Sequence, residues 1–294
     1  MIRWLKGRVR NVLTRLVEAV LSRVGYDVKM SQCQFHVPLD YALETVPPVY
    51  EPSVSIPSHA LPLPPARARP GYAPDNDELY LDWGKSDHDF ILDLIKKYIG
   101  EKRDLALLDF GCASGRVLRH FWVENHRLGW KLLGVDVEAY LIEWMRRNFP
   151  PEISVFTGSA FPHLPIPDNS LDVIYGISVF THTKYLWDMW LMELKRVLKP
   201  GGYCFQSVQC EIAWRLYHQN RRVDWIRDGH PPSMLAKPEM DVDFFFYGNS
   251  HVGQQVFWKE EVLRRHWGRY LEVVAVLPPP KYSYQNWVVL RKPE

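Results

Sequence analysis

The chain of 294 residues is poor in several things. Its four cysteines are Cys33, Cys112, Cys204 and Cys210, and no two of them are spaced as C-x-x-C. That argues against a thiolate zinc site and fits reduced, buried thiols in a cytoplasmic protein. Net charge is only +2, so the bulk of the molecule is not a nucleic-acid binder by charge. No run reaches the ~18 apolar residues that a membrane span needs. Arg15 and Glu18 interrupt any apolar core near the start, and no small-residue cleavage site follows, so residues 1–24 do not read as a signal peptide. A G-x-G-x-x-G turn is also missing, which argues against a nicotinamide-dependent dehydrogenase.

What is present is a hydrophobic fraction of 47%, enough for one large domain with additions. Residues 1–30 hold seven Lys/Arg against Glu18 and Asp27, a local net of +5 that leaves the remainder at −3. Over 2–24, Leu5, Val9, Val12, Leu13, Leu16, Val20 and Val24 share one helical face. Such a helix packs on the body or on a second subunit of a homodimer, lies on an anionic membrane surface, or forms a nucleic-acid arm. Ten prolines between 37 and 74, interspersed with Val54, Ile56, Leu61 and Leu63, predict an extended arm strapped along the body. Residues 1–75 thus form an N-terminal helix and arm, and 76–294 the main domain.

Within that domain, Leu105 to Leu108 is an apolar run broken by Gly111-Cys-Ala-Ser-Gly115. An amphipathic pattern follows, with Val117, Leu118 and Phe121 on one side and Arg116, Arg119 and His120 on the other. This predicts a buried strand, a tight turn and a helix start, where a ligand can approach the backbone and N–H groups are unpaired. A helix is predicted over 87–99, ended by Gly100. Strands follow near 105–110, 131–136, 153–156, 171–176, 202–208, 271–277 and 286–291. Helices are expected near 115–123, 138–148, 184–198 and 258–267. That alternation implies an α/β fold with a mostly parallel sheet. Residues 209–257 break the pattern and mix aromatic with basic side chains. At the carboxyl edge of such a sheet they predict a substrate cap, against the plainer reading of a structural or dimer insert.

Asp109-Phe-Gly-Cys-Ala-Ser-Gly115 resembles the first motif of the class I S-adenosylmethionine-dependent methyltransferases. Gly134-Val-Asp136, Leu164–Asp172, Ser178-Val-Phe-Thr-His182 and Leu194–Gly202 match later motifs in order. The resemblance covers 76–294 and implies a Rossmann-like, seven-stranded, mostly parallel sheet with an antiparallel last strand. It also implies S-adenosyl-L-methionine as cofactor. Gly111 and Gly115 would let the turn pass under it, Asp109 would attract its ammonium, and Cys112, Ala113 and Arg116 would lie beside it. Ala113 stands where the family often has its middle glycine. Asp136, 21 residues after Gly115, is spaced to accept from a ribose diol, with Val137 beside it. Ser159, Ala160 and Phe161 would meet the adenine, and Ser178 would touch the cofactor from the segment between cofactor and substrate.

His182 is the leading general-base candidate, because an unperturbed imidazole suits proton removal near neutral pH. His251 is the second. Glu239, Asp241 and Asp243 read as a solvated acidic loop, and no metal is expected. The expected reaction is methyl transfer by in-line displacement to a hydroxyl of a small molecule or sugar/glycan. An amine acceptor, or a binding module without turnover, is the alternative. Localisation is expected to be cytoplasmic, with peripheral membrane contact through 1–24 if the surface-helix reading holds.

Overall fold

β1 (Ala106–Phe110) forms where every side chain of the run is buried. Leu107 points to one sheet face, and Ala106, Leu108 and Phe110 point to the other. The computed structural model describes residues 61–69, 71–183, 186–220, 240, 244–247 and 255–294. The 2–24 helix, most of the proline-rich arm, the acidic residues Glu239, Asp241 and Asp243, and His251 lie outside the described residues.

The elements before the sheet centre are α1 (Asp77–Tyr98), β1, α2 (Leu118–Leu128), β2 (Lys131–Asp136), α3 (Ala139–Asn148) and β3 (Ile153–Thr157). The chain then crosses to β4 (Leu171–Gly176), α4 (Trp187–Val197) and β5 (Leu198–Val208). After α5 (Glu211–Asn220) and the strands β6 (Phe244–Tyr247) and β7 (Gln255–Trp258) come α6 (Glu260–Trp267), β8 (Glu272–Leu277) and β9 (Asn286–Arg291). The sheet order is β3-β2-β1-β4-β5-β9-β8. β1 to β5 pair in parallel, whereas β9 runs antiparallel to both β5 and β8. The seven strands lie within a residue or two of their predicted ranges, apart from β5, which begins four residues early.

Helices cover both faces, as a buried parallel sheet requires. α1, α2 and α3 pack on one, through Ile91, Ile95, Leu118, Phe121, Ile142 and Met145. α4 and α6 pack on the other, through Leu191, Leu194, Leu263 and Trp267. Strand order reverses between β1 and β4, which leaves a crevice at their carboxyl ends.

Three expectations change. α1 begins ten residues before the predicted start: Asn76 caps it by accepting from Leu79 N at 2.8 Å, and Asp77 and Glu78 favour its positive end. The extra turns were hidden because they bury only Tyr80 and Gly84, too few apolar side chains to show a helical period. Second, Arg116, Arg119 and His120 do not face solvent. All three are buried beneath α1 and the 61–69 segment, with Arg119 donating to the carbonyls of Leu61 and Pro62. Third, some aromatics of the 209–257 insert serve the core. Trp214 and Phe257 are buried against each other edge to face, 5.4 Å apart.

Candidate active site

β1 delivers Asp109 to the crevice, and the turn after it folds back beneath. Gly111 and Gly115 adopt φ +83° and +79°, a region open mainly to glycine. A Cβ on Gly111 would also fall 2.4 Å from Val179 Cγ2, and one on Gly115 2.6 Å from Phe149 Cε2. Both glycines are therefore demanded by the protein's own packing, where clearance for a ligand was expected. Ala113 holds φ +47° with a Cβ in place, a conformation costing about 1–3 kcal/mol. Ala113→Gly should relieve part of that strain. The expected result is a rise of roughly 2–4 °C in melting temperature for about 1 kcal/mol gained, read by thermal denaturation of the ligand-free chain.

The turn's N–H groups are largely committed. Gly111 and Cys112 donate to Val135 O at 2.8 and 3.0 Å, and Gly115 donates to Cys112 O at 2.8 Å. Ala113 N donates to Asp136 Oδ2 at 2.8 Å. The expectation of free donors for a ligand is corrected by these bonds. Cys112 is corrected likewise. Its thiol is buried beside Gly134 and Met145, burial holds it far above an ordinary thiol pKa, and only its main chain is left for a ligand.

A small cleft of about 40 Å³ lies over the turn. Of the residues chosen from sequence, Asp109, Gly111, Cys112, Ala113 and Arg116 line it. Asp109 is 4% exposed. Burial pushes its carboxyl up to about 7, opposed by the Tyr175 hydroxyl and Arg116 and reinforced by Asp136 and Asp87. Asp136 adjoins the cleft through Ala113, and its second oxygen accepts from Glu138 N at 2.9 Å. Burial raises its pKa as well. Its carbonyl accepts from Gly158 N at 2.8 Å, which ties the β3 loop to β2.

Val137 and Phe161, 52% and 73% exposed, are apolar side chains left bare at the ends of β2 and β3. Ser159 does not offer a free hydroxyl. It accepts from Phe161 N at 3.0 Å and donates to Phe161 O at 2.9 Å. Ala160 is exposed beside it. Ser178, at φ +61°, donates its N–H to Ser207 Oγ at 2.7 Å and bonds through its hydroxyl to Gln285. That network joins the β4 turn to β5 and to the loop before β9. His182 follows in the same turn, half-buried, with its N–H on Val179 O at 2.9 Å. It does not line the cleft over the glycine turn.

Six cleft residues were not chosen from sequence: Ser114, Val117 and Ile177 beside the glycine turn and β4, and three from further away. Arg69 and Tyr72 come from the segment before α1, and Tyr80 from its first turns. The signal that could have found them is Asn76-Asp77-Glu78, a helix start that moves α1 and its leader into the site. Ser114 staples that leader by donating to Ala68 O at 2.6 Å, with Tyr80 Oη 3.2 Å from the same hydroxyl.

Comparison with known proteins gives a consistent result. A family pattern described as "Methyltransferase domain" matches residues 108–206. The sterol 24-C-methyltransferase erg-4 of Neurospora crassa is 30% identical over 106 residues, covering 35% of this chain and 27% of that protein. The chain thus spans about a quarter of that relative's length. A probable S-adenosylmethionine-dependent methyltransferase of Mycolicibacterium smegmatis is 29% identical over 166 residues, or 56% of this chain and 57% of that one. A crystal structure from Pyrococcus horikoshii OT3 shares the fold at a TM-score of 0.50 and 19% identity, covering 71% of this chain and 91% of that one. Residues 108–206 thus match a methyltransferase domain, set in a seven-stranded, mostly parallel sheet with the glycine turn at the end of β1.

Proposed function

We propose that the chain transfers a methyl group from S-adenosylmethionine to a hydroxyl of a small molecule or sugar/glycan. The observation that carries the cofactor reading is Asp109. It is a carboxyl buried in a small cleft, and a nearby ammonium would bring it back to the ionised state. When bound, the cofactor supplies an activated methyl on a good leaving group. The protein's own work is alignment and exclusion of water, holding an acceptor atom about 3 Å from the methyl carbon. Asp109 would hold the ammonium, Asp136 the ribose diol, and Val137 and Phe161 would flank the adenine. His182 would accept the proton that a hydroxyl must lose.

The test uses the full chain, methyl-labelled cofactor and a panel of sugars, phenols and amines. His182→Gln is expected to lower turnover on hydroxyl acceptors by about 10²–10⁴-fold, with cofactor affinity unchanged by calorimetry. Label appearing only on amines, or equal turnover by wild type and variant, would remove the hydroxyl reading. A second reading, a carbon acceptor, is favoured by the sterol 24-C-methyltransferases among the relatives. It predicts label on alkenes and none on hydroxyls. The 2–24 helix is proposed to touch anionic membrane, which full-length and 1–24-truncated protein compared by vesicle sedimentation would decide.

A further inference from the structure

We propose that Gln285, in the loop before β9, is a positioning residue for methyl transfer. Through Ser207 and Ser178 it fixes the shape in which the turn after β4 meets the cleft. The role rests on the methyl-transfer reading above, and not on which acceptor atom takes the methyl.

Three neighbouring strand ends meet here, at the carboxyl edge of the parallel strands. Ser178 lies just past β4, Ser207 is next to last in β5, and Gln285 immediately precedes β9. Gln285 is 6% exposed and Ser207 2%. Their hydrogen bonds run in one direction around a closed ring. Ser178 N donates to Ser207 Oγ at 2.7 Å, and Ser207 Oγ donates to Gln285 Oε1 at 2.6 Å. Gln285 Nε2 then donates to Ser178 Oγ at 2.7 Å. Because Ser207 accepts from the main chain, its single hydrogen goes to the amide oxygen, and that aims the amide hydrogens at Ser178. A buried network whose members are all satisfied specifies one arrangement. The loop is held in turn, with Gln285 N donating to Ser283 Oγ at 3.2 Å and Tyr282 Oη to Ser86 O of α1 at 3.0 Å.

The ring restrains a residue that would otherwise relax. Ser178 sits at φ +61°, a region that a residue with a Cβ keeps only where its surroundings enforce it. Its neighbours are the ones that reach the site. Ile177 lines the cleft, and Val179 packs against Gly111 of the β1 turn. Thr181 Oγ1 closes on Ser178 O at 2.5 Å, and His182 N on Val179 O at 2.9 Å. Relaxation at Ser178 would shift Ile177 and Val179 together, and a misplacement of about 1 Å at a reacting centre costs on the order of 10²-fold in rate. Bulk alone does not call for an amide at 285, since methionine would fill the same space.

The experiment is a double-mutant cycle on the full chain, using labelled S-adenosylmethionine and whichever acceptor of the panel takes the label. The variants are Gln285→Met, Ser178→Ala and the two combined. Gln285→Met is expected to lower kcat by about 10–100-fold, with KM for the acceptor and affinity for S-adenosylhomocysteine within about threefold of wild type. The combined variant should be within about twofold of the slower single one, because residues acting as a unit do not add. A folded Gln285→Met with a lower melting temperature and unchanged kcat would overturn the positioning role. So would a loss confined to cofactor affinity, or single effects that multiply in the combined variant. Should Gln285→Met not fold, Gln285→Glu decides: it is isosteric, still accepts from Ser207 and offers Ser178 no amide hydrogen, and the same fall in kcat is expected. Wild type that labels no acceptor would overturn the methyl-transfer reading and this role with it.

Discussion

Asp109→Asn is expected to make the ligand-free chain more stable at pH 8 and to bind cofactor far worse. The sign follows from the direction of the shift. The folded carboxyl titrates near 7 against an unfolded value near 3.8. Between those values the folded state holds the proton more tightly, so this group's contribution to stability falls as pH rises, and above about 7 it is flat. The whole penalty is up to about 4 kcal/mol at pH 8 for a shift of this size. Arg116 and the Tyr175 hydroxyl already oppose it, and Asp136 and Asp87 add to it. Asparagine removes the buried charge and with it the pH term. Melting of wild type and variant over pH 4.5–8.5 should therefore converge toward acid and separate by several degrees toward base. Calorimetry with S-adenosylhomocysteine should show the reverse ranking, a loss on the order of 10–100-fold, for want of one charge-assisted bond. Parallel melting curves at every pH would remove this account of Asp109. A carboxyl that destabilises the ligand-free protein is what the proposed ligand-binding role of Asp109 predicts.

Asp136→Ala should produce the second large effect. From sequence alone the expectation was lost ribose binding with an intact fold. The structure adds a second job, because the same carboxylate accepts from Ala113 N and Glu138 N. Its removal unties the glycine turn from β2 and leaves two backbone donors short of a partner. The predicted outcome is a loss of roughly 1–3 kcal/mol in stability. Cofactor affinity should fall by at least about 10²-fold, from two lost charge-assisted bonds and a loosened turn. Asp136→Asn keeps an acceptor and should recover most of the stability but less of the affinity. Denaturant melts and calorimetry on both variants separate the two jobs. Unchanged affinity in Asp136→Ala would sink the ribose assignment.

The ribose candidate and the turn were legible because they sit at fixed offsets from apolar strands. β1 announces itself as Leu105–Leu108 and β2 as Leu132–Val135, and a parallel strand buried on both faces must be apolar throughout. The reasons behind those residues were less legible. Gly115 is demanded by Phe149, which lies 34 positions away, and Gly111 by Val179, at 68. Arg119 carries the mark of a solvent-facing residue yet is buried beneath Leu61 and Pro62. Cys112 lies inside the motif, but its thiol points away from the cleft toward Gly134.

The seven strands of the main sheet, the helices that alternate with them, the glycine turn and the acidic ends of β1 and β2 were thus decided by the sequence on its own. Periodicity and turn chemistry are local, and they operate over a few residues. What only the tertiary structure decided is which charged side chains surround the cleft. Arg69, Tyr72 and Tyr80 meet Asp109 and Arg116 because a proline-rich leader folds back over the turn and is pinned there by Ser114 and Arg119. Contacts between segments so far apart in the chain leave no periodic trace, since they depend on the packing of one element against another and not on the pattern within either.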